Sequence, residues 1–530
     1  MLFTSYEFLA FLAGVLFLYY VLPKKLQWPL LLCASYVFYA LAGPKYLAFI
    51  GVTTLSVYAA GAIMGRMADA ERAYLEGEGA SLSKDERKTY KASAKRRRLF
   101  VLLAGVILNF GILAVLKYTV FAVVNINSAL HTFGVESSLS IPSLILPLGI
   151  SFYTFQSMGY LIDVYRGKAV AERNPFKLAL FISFFPQLVQ GPISRFSSLG
   201  EQLTAQRSFE RRTFTYGIQR IIWGYFKKLV IADRVLIAVN TVVESPEAFR
   251  GFYVFALIIL YSIQIYADFT GGIDITIGIA EALGIKLAEN FNRPFSSRST
   301  DEYWNRWHIT MGTWFTDYVF YPLSVSRPMQ AITKKSKKWF GKSIGKRVPV
   351  YLATIITWFL TGLWHGAGWN FIVWGLLNCA VILISREFKP LYERFHKRFP
   401  TLSENRAYGA FMSIRTFLLM GLIRSLDCYR NVSLTFRMWG SMFTDFNVAE
   451  AFGGGISALG LSLADYIIVA LGCALMFAVS SLGKDVSVRD RLYGKPALSW
   501  CVFGGLFVLI LLFGAYGIGY DASQFIYNQF

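Results

Sequence analysis

TWFLTGLWHGAGWNFIVWG, residues 357–375, is an apolar run that carries only two strongly polar side chains, His365 and Asn370. Ionisable groups inside a membrane are costly, rare and usually functional. Gly362, Gly366, Ala367 and Gly368 keep the backbone thin around His365, so another helix or a ligand can approach closely. The bland alternative is a histidine satisfied by an interhelical hydrogen bond. Which reading holds depends on what surrounds the run.

The same apolar character extends over the chain. Of 530 residues, 55% are hydrophobic, 17% aromatic and only 16% charged, where about 25% charged is usual for a soluble protein. Nearly uncharged runs recur at 7–22, 28–43, 46–64, 99–116, 252–265, 348–363, 371–384, 464–482 and 498–519. A helix needs roughly 18–20 apolar residues to cross a bilayer, so the chain is expected to be an all-α polytopic membrane protein with roughly 11–13 spanning or re-entrant helices. The period-two alternation of a membrane β-barrel is absent. One membrane domain, 1–530, is expected, in three zones. Residues 1–130 are simple helices with a long basic loop at 66–98, 140–380 are interrupted by Gly, Pro, Gln and charge, and 400–530 return to ordinary helices.

No basic residue precedes the first apolar run, whereas Lys24 and Lys25 follow it. That pattern predicts an uncleaved first helix, an N-terminus outside and Lys24 in the cytosol. Counting forward places 66–98, with its run Arg96-Arg97-Arg98, in the cytosol too. The net charge of +21 concentrates in stretches read as loops: 66–98, 207–234, 327–347 and 386–398. Such bases suit cytosol and anionic lipid head groups, so nucleic acid is not implied. Five scattered cysteines with no CxxC pair predict neither a disulfide framework nor a zinc site.

The middle zone is the informative one. "LPLGISFYTFQSMGYLIDVYRG" (146–167), "FFPQLVQGPISRF" (184–196) and "YADFTGGIDITIGIAEALG" (266–284) put broken, polar backbone among apolar runs. Such backbone is tolerated at membrane depth only where it is buried in protein or lines a cavity. Pro147-Leu148-Gly149, Pro186 and Gly191-Pro192 read as breaks in kinked or re-entrant helices.

The chain has four histidines. His131 and His396 read as loop residues. His308 lies in "YWNRWHITMGTWFTDY"; a helix there would put Trp304, Trp307, His308 and Met311 on one face and let Arg306 pair with Glu302. A neutral imidazole can take a proton from a hydroxyl as it attacks an acyl carbonyl. No GxSxG elbow, P-loop or HExxH competes. Asp268 and Asp274 could bind a cation, but two isolated aspartates are weak evidence, and pairing with Arg or backbone is the stronger reading.

In this order, the three broken segments, then "ENFNRPFSSRSTDEYWNRWHITMGTWFTDYVFYPL", then "GLWHGAGWNFIVWG", the chain resembles the membrane-bound O-acyltransferase (MBOAT) family. The bacterial branch of alginate O-acetylases and teichoic-acid D-alanyltransferases is the most similar, down to a terminal "FIYNQF". The resemblance implies a ring of helices with a funnel from each side meeting in a central tunnel. It implies transfer of an acyl group from a thioester to a hydroxyl, with His365 catalytic and His308 the second required residue. Asn292, Arg298, Trp304, Arg306, Trp307 and Asp317, with Trp364 and Asn370 beside His365, become candidates for the tunnel wall or for substrate positioning. The implied donor is acetyl-CoA or a carrier-protein thioester, with no bound cofactor or metal.

The implied acceptor is a polysaccharide or teichoic acid at the bacterial cytoplasmic membrane, reached directly or through a secreted or membrane-anchored partner acyltransferase. Acetyl transfer is the leading expectation; D-alanyl transfer from an acyl carrier protein is the alternative. A non-catalytic transporter or channel is the reading from a different class, against which the absence of an internal repeat counts. "GLIRSLDCYRN" near 421–431 and "SVSRPMQAITKKSKKW" at 324–339 depart from the family pattern, which touches neither histidine.

Overall fold

The computed structural model describes residues 3–135, 138–483 and 486–516. The "FIYNQF" ending therefore lies outside the described residues. Within them the chain is helical and forms two compact units, one of residues 1–217 with 279–288, the other of 218–278 with 289–530.

The first unit begins with α1 (Tyr6–Val21), α2 (Gln27–Ala42), α3 (Tyr46–Glu76), α4 (Lys84–Thr132) and α5 (Ile150–Arg166). Small residues set its packing. A side chain at Gly61 would come within 3.1 Å of the Tyr160 hydroxyl, and one at Gly105 within 3.1 Å of Leu161, so α3, α4 and α5 meet closely only because those positions are bare. Gly149 (φ 70°) sits at the start of α5, with the Leu188 carbonyl oxygen 2.0 Å from where a Cβ would be. Pro147-Leu148-Gly149 is thus the tight entry to α5 after the non-helical stretch 138–149, not a kink within a helix.

The second unit contains α6 (Asp233–Glu244), α7 (Phe252–Ala282, whose last four residues belong to the first unit), α8 (Thr300–Trp304) and α9 (Ile309–Phe315). It continues with α10 (Arg327–Gly345), α11 (Val348–His365), α12 (Trp369–Glu387), α13 (Arg406–Tyr429) and α14 (Val432–Thr444). It closes with α15 (Leu463–Leu482) and α16 (Pro496–Phe513). Among the described residues, eight helices are long and apolar enough to cross a membrane: α3, α4, α7, α11, α12, α13, α15 and α16. α1 is apolar but shorter.

Several stretches read as loops are helices. The basic stretch 66–98 is helical except around 77–83; α3 runs on to Glu76 and α4 starts at Lys84 with a Ser83–Glu86 capping box. Arg98 and Glu71 pair at 2.7 Å between the two helices. Charge marks where a helix leaves lipid, not where it ends. His131 accordingly lies in the last turn of α4. His396 lies in the helix Lys389–Arg398, 3.4 Å from the Tyr408 hydroxyl. The stretch 207–234 is mostly helix, with a π-helical turn at Phe226–Ala232, and 327–347 forms α10.

Candidate active site

The segment around His308 is not the continuous helix that its spacing suggests. α8 stops at Trp304, His308 adopts a left-handed conformation (φ 49°), and α9 begins only at Ile309. Phe291 and Trp307 form an isolated antiparallel bridge, and the Asn292 N–H donates to the Arg306 carbonyl at 2.9 Å. Pairing with 290–292 outcompetes the helix, so the expected single face of Trp304, Trp307, His308 and Met311 does not form. The Arg306–Glu302 pair does form, at 2.6 Å.

Asn290 holds His308. Its Oδ1 accepts from the Thr310 N–H (3.0 Å) and the Thr310 hydroxyl (2.9 Å), which identifies that atom as the oxygen. His308 Nδ1, 3.3 Å away, is therefore the donor nitrogen, and Nε2 carries the lone pair. His308 is fully buried and lies outside the spanning helices. Burial, then the nearby Arg424 guanidinium, pushes its pKa down to about 3, so the ring is neutral at physiological pH.

An aromatic chain joins the two histidines. The His308 ring lies 5.8 Å from Trp364, and Trp364 lies 4.9 Å from His365. His365 then packs on Trp374 at 4.7 Å, and Trp374 on Trp304 at 5.7 Å. Behind this chain, Arg424 of α13 is buried with its guanidinium 4.1 Å over the Trp307 ring. It also donates to the Tyr303 hydroxyl at 3.0 Å, and Tyr303 stacks on Trp307 with 11° between the rings. Sequence reading missed both Asn290 and Arg424. The signal for Arg424 was present, as a lone charge within an otherwise apolar stretch, "FLLMGLIRSL".

Two cavities are lined by residues that precede and follow His365 in the sequence, His365 itself being on the lining of neither. One, of about 640 Å³, is lined by Trp304, Trp307, Asp317, Thr354, Trp358 and Thr361 among others. Thr354, Trp358 and Thr361 line it from α11, and His365 follows one turn later on the same stripe of the helix. The other, of about 630 Å³, begins at Gly366 and is lined by the 366–371 turn, including Asn370, and by 430–433. Glycine is required in that turn, because a Cβ at Gly366 would sit 2.0 Å from the Phe371 ring. Gly362 and Gly375 do the same for the crossing of α11 with α12, each facing backbone oxygen at 2.4–2.5 Å.

Of the expected wall residues, Trp304, Trp307 and Asp317 line the first cavity and Asn370 the second, while Trp364 sits between the histidines. Asn292, Arg298 and Arg306 line neither cavity. Asn292 and Arg298 are exposed, Arg298 with its carbonyl accepting from Arg415, and Arg306 donates to Ser296 at 2.9 Å. The aspartates at 268 and 274 are engaged by cations of the chain itself. Asp274 pairs with Arg220 (2.9 Å) and Lys227 (2.5 Å), and Asp268 with Lys228 (2.7 Å).

The model of the membrane-bound O-acyltransferase family matches residues 170–334, which include His308. A protein described as "probable alginate O-acetylase" from Azotobacter vinelandii is 32% identical over 477 residues, covering 89% of this chain and 84% of the relative. The chain belongs to the membrane-bound O-acyltransferase family. A peptidoglycan O-acetyltransferase of Helicobacter pylori is 32% identical over 58% of this chain and 59% of its own length. A teichoic acid D-alanyltransferase of Bacillus subtilis is 31% identical over 52% of this chain and 67% of its own length. This O-acyltransferase is thus a multi-pass helical membrane enzyme, and the channel or transporter reading falls away.

Proposed function

We propose that this O-acyltransferase moves an acetyl group from acetyl-CoA to a hydroxyl of an extracellular or cell-wall polysaccharide, directly or through a secreted or membrane-anchored partner acyltransferase. It works in the bacterial cytoplasmic membrane, with the N-terminus outside and the thioester arriving from the cytosol. What supports the reading is that one cavity is lined by α11 up to Thr361 and the other from Gly366 onward, so that His365 falls in the sequence between the two linings. A donor and an acceptor can meet there from different sides.

His365 takes the proton of the acceptor hydroxyl as that oxygen attacks the thioester carbonyl. The tetrahedral intermediate collapses by breaking the C–S bond, and the proton passes from His365 to the leaving thiolate. Neutral His308, fixed by Asn290, orients the Trp364–His365 pair. The Trp304 indole N–H, buried without a protein partner on the wall of the first cavity, can donate to the acyl carbonyl. No metal or bound cofactor enters this chemistry.

D-alanyl transfer from an acyl carrier protein to teichoic acid is the second reading, favoured by one feature. α10 and its flanks carry Arg327, Lys334, Lys335, Lys337, Lys338, Lys342, Lys346 and Arg347 with no acid between them, a surface suited to an acidic carrier. The test is a transfer assay with purified protein and radiolabelled donors. Turnover of acetyl-CoA supports the proposal; turnover of a D-alanyl carrier protein alone moves the assignment to the second reading.

A further inference from the structure

We propose that the cavity beside residues 366–371 is an anion subsite for the acceptor, holding a carboxylate or phosphate group while the neighbouring hydroxyl faces His365. The inference rests on the reading of His365 as the base for the acceptor.

Four observations converge on this cavity, whose volume of about 630 Å³ suits one or two sugar units. Two helices begin at its wall, α12 at Trp369 and α14 at Val432, and neither has an acid in its first turn. The helix dipoles favour negative charge there, with the Asn431 side chain capping α14 by accepting from the Leu434 N–H at 2.9 Å. Asn370, also on the wall, is 5% exposed, and its Nδ2 has no hydrogen-bond partner. A buried amide donor in that state calls for an acceptor atom from a ligand.

Arg430 supplies a full positive charge to the same wall. It does so from a left-handed backbone (φ 53°), where glycine would be easier to place. Its planar fork matches carboxylate and phosphate oxygens two at a time. No carboxylate is among the lining residues; Asp427, one turn back on α13, accepts from the Tyr261 hydroxyl at 3.0 Å and attracts Arg430 from behind the wall. The other cavity has the opposite character, with Asp301 and Asp317 on its wall beside Arg386. Charge therefore separates the two cavities, and the anion belongs with the substrate that enters beside Gly366.

The test is equilibrium dialysis of the full chain in detergent against radiolabelled D-glucuronate, inorganic phosphate and D-glucose. Wild type is compared with Arg430→Gly, which suits the left-handed backbone, with Arg430→Asn as a second variant should the first melt early. The expected result is binding of glucuronate or phosphate well above glucose, weakened at least tenfold in the variant and partly recovered in Arg430→Lys. Preference for glucuronate identifies an acidic sugar; preference for phosphate identifies a phosphorylated acceptor. Binding of neither anion above glucose, or equal binding in wild type and Arg430→Gly, overturns the proposal. His365→Ala binds like wild type if the subsite is real. Loss of the catalytic reading, seen as full transfer by His365→Ala, leaves this binding result standing.

Discussion

Asn290 and Arg424 shape the site as much as the histidines do. His308 was legible because an imidazole among tryptophans is conspicuous. Its partner was not, because an asparagine 18 positions earlier acquires meaning only when 290–292 pairs with 306–309. Arg424 has no carboxylate within ion-pair distance among the described residues; its contacts are the Trp307 face and the Tyr303 hydroxyl. Such a cation–π contact is worth about 0.5–2 kcal/mol. Arg424→Ala should therefore lower the melting temperature in detergent modestly but cut transfer about tenfold or more, by loosening the Trp307–His308 segment. Arg424→Lys should recover little, since an ammonium cannot lie flat on the indole and reach Tyr303 together. Wild-type transfer by Arg424→Ala would remove it from the account. Asn290→Ala removes the acceptor shared by the Thr310 N–H, the Thr310 hydroxyl and His308 Nδ1, at a cost of about 1–3 kcal/mol; a melt unchanged from wild type would contradict that.

At the scale of elements, apolar runs located the spanning helices well, because hydrophobic length is a direct physical requirement. Each of the nine runs named from the sequence coincides with a helix over most of its described residues, the last of them being helical as far as Phe513. The ends were less legible. Basic stretches at 66–98 and 327–347 continue or form helices, interrupted only around 77–83 and at a kink at Gly341, because charge by itself does not unwind a helix in water. The α11–α12 corner was the most readable of all: its glycines predicted close approach, and the crossing uses them. Gly366→Ala should overpack against Phe371, costing about 1–3 kcal/mol, and should displace His365 enough to reduce transfer. Adding Phe371→Leu should restore part of both. Stability and transfer rates for the single and double variants check this, and an inert Gly366→Ala would refute the packing argument.

For the whole molecule, the stabilising charges lie apart from the cavities. Lys228, fully buried, bridges Asp233 and Asp268 at 2.7 Å each, and the neighbouring Lys227 joins Arg220, Asp274 and Glu289. Arg234 pairs with Asp465 on α15. These groups sit on and around the π-helical turn Phe226–Ala232, whose Leu229 carbonyl accepts from Ala515. Sequence reading treated 207–234 as a basic loop because, Asp233 apart, its carboxylate partners lie 40 or more residues away and leave no local trace. Removing one partner of a buried ion pair costs about 3–5 kcal/mol. Lys228→Met should therefore lower the detergent melting temperature strongly, and adding Asp268→Asn should recover part of it. A melt like wild type would mean that the triad is solvated.

The central claim is that His365 is the base at the meeting point of the two cavities. The direct test is single-turnover transfer from radiolabelled acetyl thioester to acceptor by His365→Ala beside wild type, both checked for an unchanged melt. A base contributes about 10²–10⁴-fold, so the account predicts a loss of that size in the transfer step with thioester binding retained. Transfer by folded His365→Ala within a few-fold of wild type would contradict it.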